Sequence, residues 1–383
     1  MRIFFISSWW PTDVHPTHGN FVQKHARLIG KNHEIYVIAV QEDQNLKAGQ
    51  LKLATQITAS YCAFVVYYGT FLRRFIFLNY IFRAIAYCHG LRSARKSSVY
   101  PPDLIHGNIL IDGGIVAAFL GMLYSVPFVI AEHASHWNTS PPKSGLKFAL
   151  AKWAGRKAAF ILPVSSNLGQ NMAHKHFITG RYYQVSNVVD DSLFYFVPST
   201  YHQNQMLQLI HVSNFDRRFK NLPGLLRAYA KVKRDFPQRF HLTIAGDGDF
   251  NQLGCWIRES GLDFNDLTVS GPHSEEEIAA LMQGSHALIL FSDIENQPVV
   301  LLEAQCCGLP CIASNVGGVE DIVVQGKTGF LVERGDEIQL IEAMLKMHRY
   351  YSEFNKQFIS KRAKRLYGKA AVMSQLEYVY KEI

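Results

Sequence analysis

The sequence predicts an α/β protein of two tandem domains, each a parallel sheet with helices on both faces. Three observations lead there. Short apolar runs alternate with longer helix-like stretches along the whole chain. The texture changes once, at "DDSLFYFVPSTYHQNQ", residues 190–205, which is polar, carries Pro198 and lacks periodicity. And 383 residues are many for a single core.

In the first series, strands are expected at 3–6, 34–40, 63–67, 104–106, 128–131 and 160–164. Helices fall between them at 20–29, 71–95, 113–123 and 145–158. The second series has strands at 207–211, 241–245, 267–270, 287–290 and 310–313, and helices at 223–234, 250–260, 275–283, 298–307 and 319–325. The tail, 336–351 and 353–383, reads as helical with a break at Gly368. This places domains at 1–190 and 206–368, with 191–205 as linker. In open parallel sheets ligands bind at the carboxyl ends of strands, so the default site is a cleft that both sets of strand ends face.

Composition excludes several classes. With 48% hydrophobic and 18% charged residues the chain is globular rather than disordered. "IFFI" after Arg2 is too short for a signal peptide and reads as a buried first strand. No run of 18 apolar residues exists, so no transmembrane helix is expected. The six cysteines form no CxxC pair and read as reduced, mostly buried thiols of a cytosolic protein; with the sixteen histidines scattered, no metal site is expected. Charge is uneven: residues 1–190 hold 19 Lys+Arg against 8 Asp+Glu, the remainder 20 against 23. A basic first half fits an anionic partner, such as a membrane surface or a phosphorylated acceptor, or only solubility.

Residues 292–321, "SDIENQPVVLLEAQCCGLPCIASNVGGVED", hold the most informative stretch. Pro298 suits a first helical turn, and Asn296 or Gln297 precedes it. Val299 and Val300 then offer free N–H groups at a helix N-terminus, an anion site. Glu295 lies just before that site. Glu303, two turns on, can hold a vicinal diol by two hydrogen bonds. The plainer reading is an ordinary helix with solvated glutamates. "SNFDRRFKN" carries Arg217, Arg218 and Lys220 after a strand, where cations could meet a diphosphate and stabilise it as it leaves. "GDG" at 246–248 lacks the third glycine of the dinucleotide fingerprint; Gly246 either approaches a ligand or only turns the chain. Gly19 and Asn20 open a helix and could form a second anion cradle or a simple entry turn. His106 and His133 stand at expected strand ends, where His133 could orient a phosphate or a hydroxyl nucleophile. "FLRRFIFLNYIFRAIAYCHGLRSARK", 71–96, mixes basic and apolar residues as an interfacial helix does, or as a core helix does.

These residues together resemble the retaining glycosyltransferases of family 4, which share the two-Rossmann-domain GT-B fold. "GDGD", residues 292–321 with their E-x7-E spacing, and "GKTGFLV" carry the likeness. The resemblance implies that Glu295 lies by the transferred sugar and Glu303 holds the nucleotide ribose. The N–H groups near Val299 and Val300 would then meet the diphosphate. "KN" at 220–221 looks like the family's phosphate-binding lysine loop, "SNVVD" at 186–190 its pre-linker motif, and Gly19 its glycine loop. Departures are Asn214, where the family's arginine usually stands, Asn-Gln-Pro after Glu295, and Asn108, where many members have a second histidine. The acceptor side therefore shifts to His106 or His133. The expected activity is transfer of a sugar, with retention, from a nucleoside diphosphate sugar to a glycan, lipid-linked or small-molecule hydroxyl. No metal or cofactor and no nucleic acid is expected. A cytoplasmic enzyme, peripheral on an anionic membrane, fits. The last helix is implied to pack back on the first domain. The alternatives are a sugar-nucleotide epimerase, a phosphorylase, or a non-catalytic nucleotide-sugar-binding protein.

Overall fold

The computed structural model describes residues 1–12, 18–71, 76–98, 101–139, 145–198 and 205–383. It resolves into two compact units: Met1–Val164, Gly169–Asn187 and Met373–Ile383 in one, Ser165–Leu168 and Val188–Val372 in the other.

The first unit is built on strands β1 (Arg2–Ser7), β2 (Glu34–Glu42), β3 (Leu51–Ile57), β4 (Cys62–Tyr68), β5 (Leu104–Asn108), β6 (Phe128–Glu132) and β7 (Phe160–Pro163). Their order is β3-β4-β2-β1-β5-β6-β7, all parallel except β3, which runs antiparallel to β4. The central strands are apolar on both faces because helices cover both. The helices are α1 (Asn20–Ile29), α2 (Ile76–Ser97), α3 (Ile115–Tyr124), α4 (His136–Thr139), α5 (Leu146–Lys157) and α6 (Ser166–Gln170). Two departures from expectation matter. The edge strand β3 was not foreseen: "LKLATQI" carries only a short, weakly apolar alternation, and even Leu53 and Ile57 stay exposed. And β5 runs on to Asn108, so His106 sits inside the strand rather than at its end.

The second unit has strands β8 (Leu207–Ser213), β9 (Phe240–Gly246), β10 (Thr268–Ser270), β11 (Ala287–Leu290), β12 (Cys311–Ser314) and β13 (Gly329–Val332). All run parallel in the order β10-β9-β8-β11-β12-β13. Its helices are α7 (Leu222–Asp235), α8 (Phe250–Glu259), α9 (Glu275–Gln283), α10 (Val299–Cys306), α11 (Val319–Ile322), α12 (Glu337–Tyr350) and α13 (Lys356–Tyr367). Side chains close most of their first turns. Asn221 accepts from Gly224 N, Asp249 from Asn251 N and Gln252 N, and Ser274 with Glu277 forms a capping box. The expected linker is corrected here. Its residues 199–204 lie outside the described residues, while Phe194 is 1% exposed in the core of the second unit with Leu193 packed against that core, so the start of the expected linker is part of the second unit.

The final helix, α14 (Lys369–Lys381), starts in the second unit and ends in the first. In the first unit Tyr380 OH lies 2.7 Å from His106 Nδ1, and Glu377 Oε1 accepts from Asn32 Nδ2 at 2.8 Å and lies 3.0 Å from His33 Nε2. Leu376 and Val379 are fully buried. We expect Leu376→Ala to cost about 2–5 kcal/mol of stability, as large-to-small core changes do. A lower urea midpoint with an unchanged slope checks it.

Candidate active site

Each sheet has one place where its strand order reverses, and loops leaving in opposite directions open a crevice there. In the second unit this point lies between β8 and β11. The loop after β8 comes back across the end of β11. Lys220 forms an antiparallel bridge with Ser292, Asp293 N donates to Phe219 O at 2.7 Å, and Asn221 N to Phe291 O at 3.0 Å. This lattice brings Lys220 onto the Glu295 carboxylate, with which it forms a largely buried ion pair. Four residues later α10 begins. Pro298 is its N-cap rather than its first helical residue, a shift of one position from expectation. The first N–H groups of a helix have no carbonyl within the helix to bond, which leaves Val299 and Val300 with their donors at the helix's positive end. Glu303 is buried on α10, about 6 Å further along the axis.

Glycines explain how the Glu295 loop is held. Gly317 has φ +59°, and a Cβ there would lie 1.8 Å from Glu295 O; one on Gly318 would lie 2.3 Å from Asn296 O. Gly318 N donates to Asn296 O at 2.8 Å. The Gly317-Gly318 turn is thus pressed against the backbone of the candidate catalytic loop. Gly246, φ +151°, does the same at the end of β8, where a Cβ would lie 1.7 Å from Ser213 O. Its role in this geometry is close backbone approach to that strand end.

The two arginines stand differently from Lys220. Arg217 is exposed. Arg218 is also exposed and clamps Asp216, with Nη2 2.6 Å from Oδ2. Only Lys220 of the three meets Glu295. Beneath it the buried His211 bridges Ile289 O (2.9 Å) and Ser213 Oγ (2.8 Å), and burial lowers its pKa to about 4. Arg334, not foreseen, reaches Asp293 Oδ1 at 3.2 Å beside the same loop. Among the described residues no cluster of His, Cys, Asp and Glu could hold a metal ion.

The first unit collects its own candidates. Gly19 is left-handed, φ +79°, because Trp9 lies where a Cβ would go; its carbonyl accepts Val22 N and Gln23 N, and Asn20 starts α1. His133 is buried against the Phe21 ring (4.7 Å) and 5.6 Å from the His25 ring, and it bonds Asn187. Asn108 donates to Ile6 O at 3.2 Å. His106 requires correction as an acceptor-side residue. It is fully buried, its ring packs on Phe5 at 4.7 Å, and it meets Tyr380, so it belongs to the core that receives the last helix.

One densely hydrogen-bonded carboxylate among the described residues was not assigned a role by the sequence. Glu132, fully buried at the end of β6, accepts Leu110 N (2.9 Å), His133 N (2.9 Å), Ala134 N (2.8 Å) and Trp137 Nε1 (2.9 Å). Burial pushes its carboxyl up, and the four donors oppose that. The signal was an acidic residue closing the apolar run "FVIAE".

Two parallel-sheet units with ligand-type loops at the strand ends are the GT-B class, and the solved structures agree. Sucrose-phosphate synthase from Thermosynechococcus elongatus matches with a TM-score of 0.79 at 18% identity, covering 100% of this chain and 98% of that one. HepE of Anabaena, solved in complex with UDP, matches with a TM-score of 0.74 at 16% identity, covering 100% of both chains. The model for glycosyl transferases group 1 matches residues 196–365, and that for Glycosyltransferase Family 4 matches residues 21–193. The chain belongs to this glycosyltransferase family. Among curated relatives, N-acetyl-alpha-D-glucosaminyl L-malate synthase of Bacillus anthracis is 28% identical over 182 residues, 46% of this chain and 45% of that enzyme. The match therefore spans less than half of that relative's length. An uncharacterized glycosyltransferase of Methanocaldococcus jannaschii is 24% identical over 274 residues, 70% of this chain and 72% of it.

Burial also sets an acid limit on the first unit. It holds His25 at about 4 and His106 at about 3, and lowers His133 as well. A histidine unfolds to an ordinary pKa of about 6.5. Between those values the unfolded chain binds more protons, so stability is full above pH 6.5 and falls as pH drops toward 4. Urea midpoints should fall steadily from pH 7 to 4.5, and His25→Gln should flatten that slope.

Proposed function

We propose that the chain transfers a sugar, with retention of configuration, from a nucleoside diphosphate sugar to an acceptor hydroxyl. The observation that carries this is the Lys220–Glu295 pair, fixed beside the N-terminus of α10 at the point where the second sheet's strand order reverses. A diphosphate docked on the N–H groups of Val299 and Val300 lies within reach of the Lys220 ammonium, which balances the charge that grows as the bond to the sugar breaks. Glu295 then faces the sugar, where it positions a hydroxyl and steadies positive charge at the anomeric carbon. Glu303, about 6 Å along α10, takes the ribose diol. On this reading the acceptor attacks from the face the diphosphate leaves, and Lys220 with the helix N-terminus supplies the neutralisation without a metal. His133 serves the acceptor side. The HepE complexes hold UDP and UDP-glucose, which makes UDP-sugars the first donors to test.

The test is release of nucleoside diphosphate with and without acceptors. Lys220→Met should lower kcat/KM by about 10²–10³, mostly through kcat, as loss of a transition-state donor does. Glu303→Ala should raise the donor KM about tenfold with a smaller change in kcat. Unchanged kinetics in Lys220→Met would remove this site. Turnover of donor without acceptor would favour an epimerase.

We also propose a peripheral position on the inner face of an anionic membrane, in polysaccharide or glycolipid assembly. Residues 73 and 74 of the basic segment expected at 71–96 lie outside the described residues. The exposed apolar side chains nearest to such a role are on several elements: Tyr80 on α2, Phe119, Met122 and Leu123 on α3, and Leu146 on α5. Lys147 Nζ stands 4.5 Å from the Tyr80 ring and Lys152 Nζ 4.8 Å from that of Phe148, so cations border the apolar surface. No helix among the described residues is long and apolar enough to cross a membrane. The chain should float with anionic vesicles at low salt, and Leu123→Glu with Leu146→Glu should abolish this; absence of flotation removes the proposal.

A further inference from the structure

The first sheet reverses its strand order between β1 and β5, and this crevice holds a polar cluster that neither the donor site nor His133 uses. Arg83, on α2, places Nη1 2.9 Å from Asp112 Oδ1, just past the end of β5. Ser8 Oγ, just past the end of β1, is 3.5 Å from Asp112 Oδ2. The Tyr87 hydroxyl bonds Arg83 and lies 3.5 Å from Ser7 O. Tyr68, the last residue of β4, bonds Glu42 at 3.0 Å and stands near Arg83. The turn that aims Asp112 is strained, because Ile109 is β-branched and has φ +65°. That turn is held by Leu110 N on Glu132.

Two features mark this cluster as more than a structural ion pair. The pair is not sealed: the Arg83 and Asp112 side chains keep 22% and 23% of their surface. And two buried atoms around it, Asn108 Oδ1 and His136 Nε2, hold no hydrogen bond among the described residues. Asn108 closes β5, four residues before Asp112, and the charge of Asp112 acts on His136. Buried polar atoms without partners are uncommon and ask for a ligand or water. Asn108 Oδ1 can only accept, so it calls for a hydroxyl or N–H donor. A guanidinium offers five donors in a fork suited to a carboxylate or phosphate, and Asp112 engages one nitrogen.

We propose that this crevice is the acceptor pocket and that it takes a small hydroxylated oxyanion, with the anionic group on Arg83 and a hydroxyl on Asn108. The word acceptor rests on the transfer reading above; the anion site does not. The incoming anion displaces Asp112 from the guanidinium, so Asp112 is a competitor that keeps Arg83 positioned while the pocket is empty.

The test measures binding without any donor, which separates it from the transfer reading. The protein is the full chain with its donor side unaltered, and the Arg83 and Asp112 variants, which leave that side intact, separate this pocket from the donor-side phosphate site. The probes are glycerol 3-phosphate and L-malate, with glycerol as neutral control, titrated by calorimetry. Expected is saturable binding of at least one anion and none of glycerol. Arg83→Gln should weaken it at least tenfold, and Asp112→Asn should tighten it about tenfold. Arg83→Lys, which keeps the charge but loses the fork, should fall between and serves if Arg83→Gln does not fold. Glycerol 3-phosphate alone binding marks a phosphate pocket, and L-malate alone a carboxylate pocket; either supports the site. No binding of either anion, an affinity unchanged in Arg83→Gln, or weaker binding in Asp112→Asn overturns it.

Discussion

The ion pair between Lys220 and Glu295 joins two loops 75 residues apart in sequence, and the geometry of the candidate donor site depends on it. Neither charge could stay largely buried alone, because an unpaired charge inside a protein costs several kcal/mol. Each therefore fixes the other. The backbone bridge at Lys220 and Ser292 sets the approach, and the Gly317-Gly318 turn backs the Glu295 loop from behind. The start of α10 is then placed by a loop that has little freedom left. Preorganisation of this kind is what a diphosphate site needs, since donors already aimed need not reorganise during reaction.

The first unit solves the same problem with one carboxylate instead of a pair. Glu132 gathers N–H groups from the turn after β5, from the segment after β6 and from the Trp137 indole. Loops at strand ends tend to move, because their backbone groups lack ladder partners. Here a single buried acceptor supplies those partners for two loops at once. His133 inherits its position from this arrangement, since its own N–H is one of the four.

Much of this was legible in the sequence, and the gaps have physical reasons. Parallel strands buried on both faces are short apolar runs, so nearly all of them could be read. β3 escaped because an exposed edge strand needs no apolar face. The Glu295–Glu303 block was readable because Pro298, two carboxylates and paired glycines stand close together in sequence. The order among the cations was not. Arg217, Arg218 and Lys220 look equivalent in sequence, and only the pairing with Ser292 turns Lys220 toward Glu295. His106 misled for a related reason: a histidine near a strand end looks functional until the strand proves two residues longer and Tyr380, 274 residues away, meets its ring. Glu132 went unassigned, since its role shows only when Leu110, 22 residues earlier, joins the donors that follow it in sequence.

The split of α14 between the two units bears on the order in which the chain can fold. Domains usually mature as they leave the ribosome, the first before the second. Here the first unit is discontinuous: its sheet is made early, while residues 373–383, including Tyr380, are made after the whole of the second. Until they arrive, His106 and its neighbours lack the surface that covers them. The second unit can close its core during synthesis; the first must hold an open face through that interval. A defect at the carboxyl end would thus be felt as misfolding of the amino-terminal half.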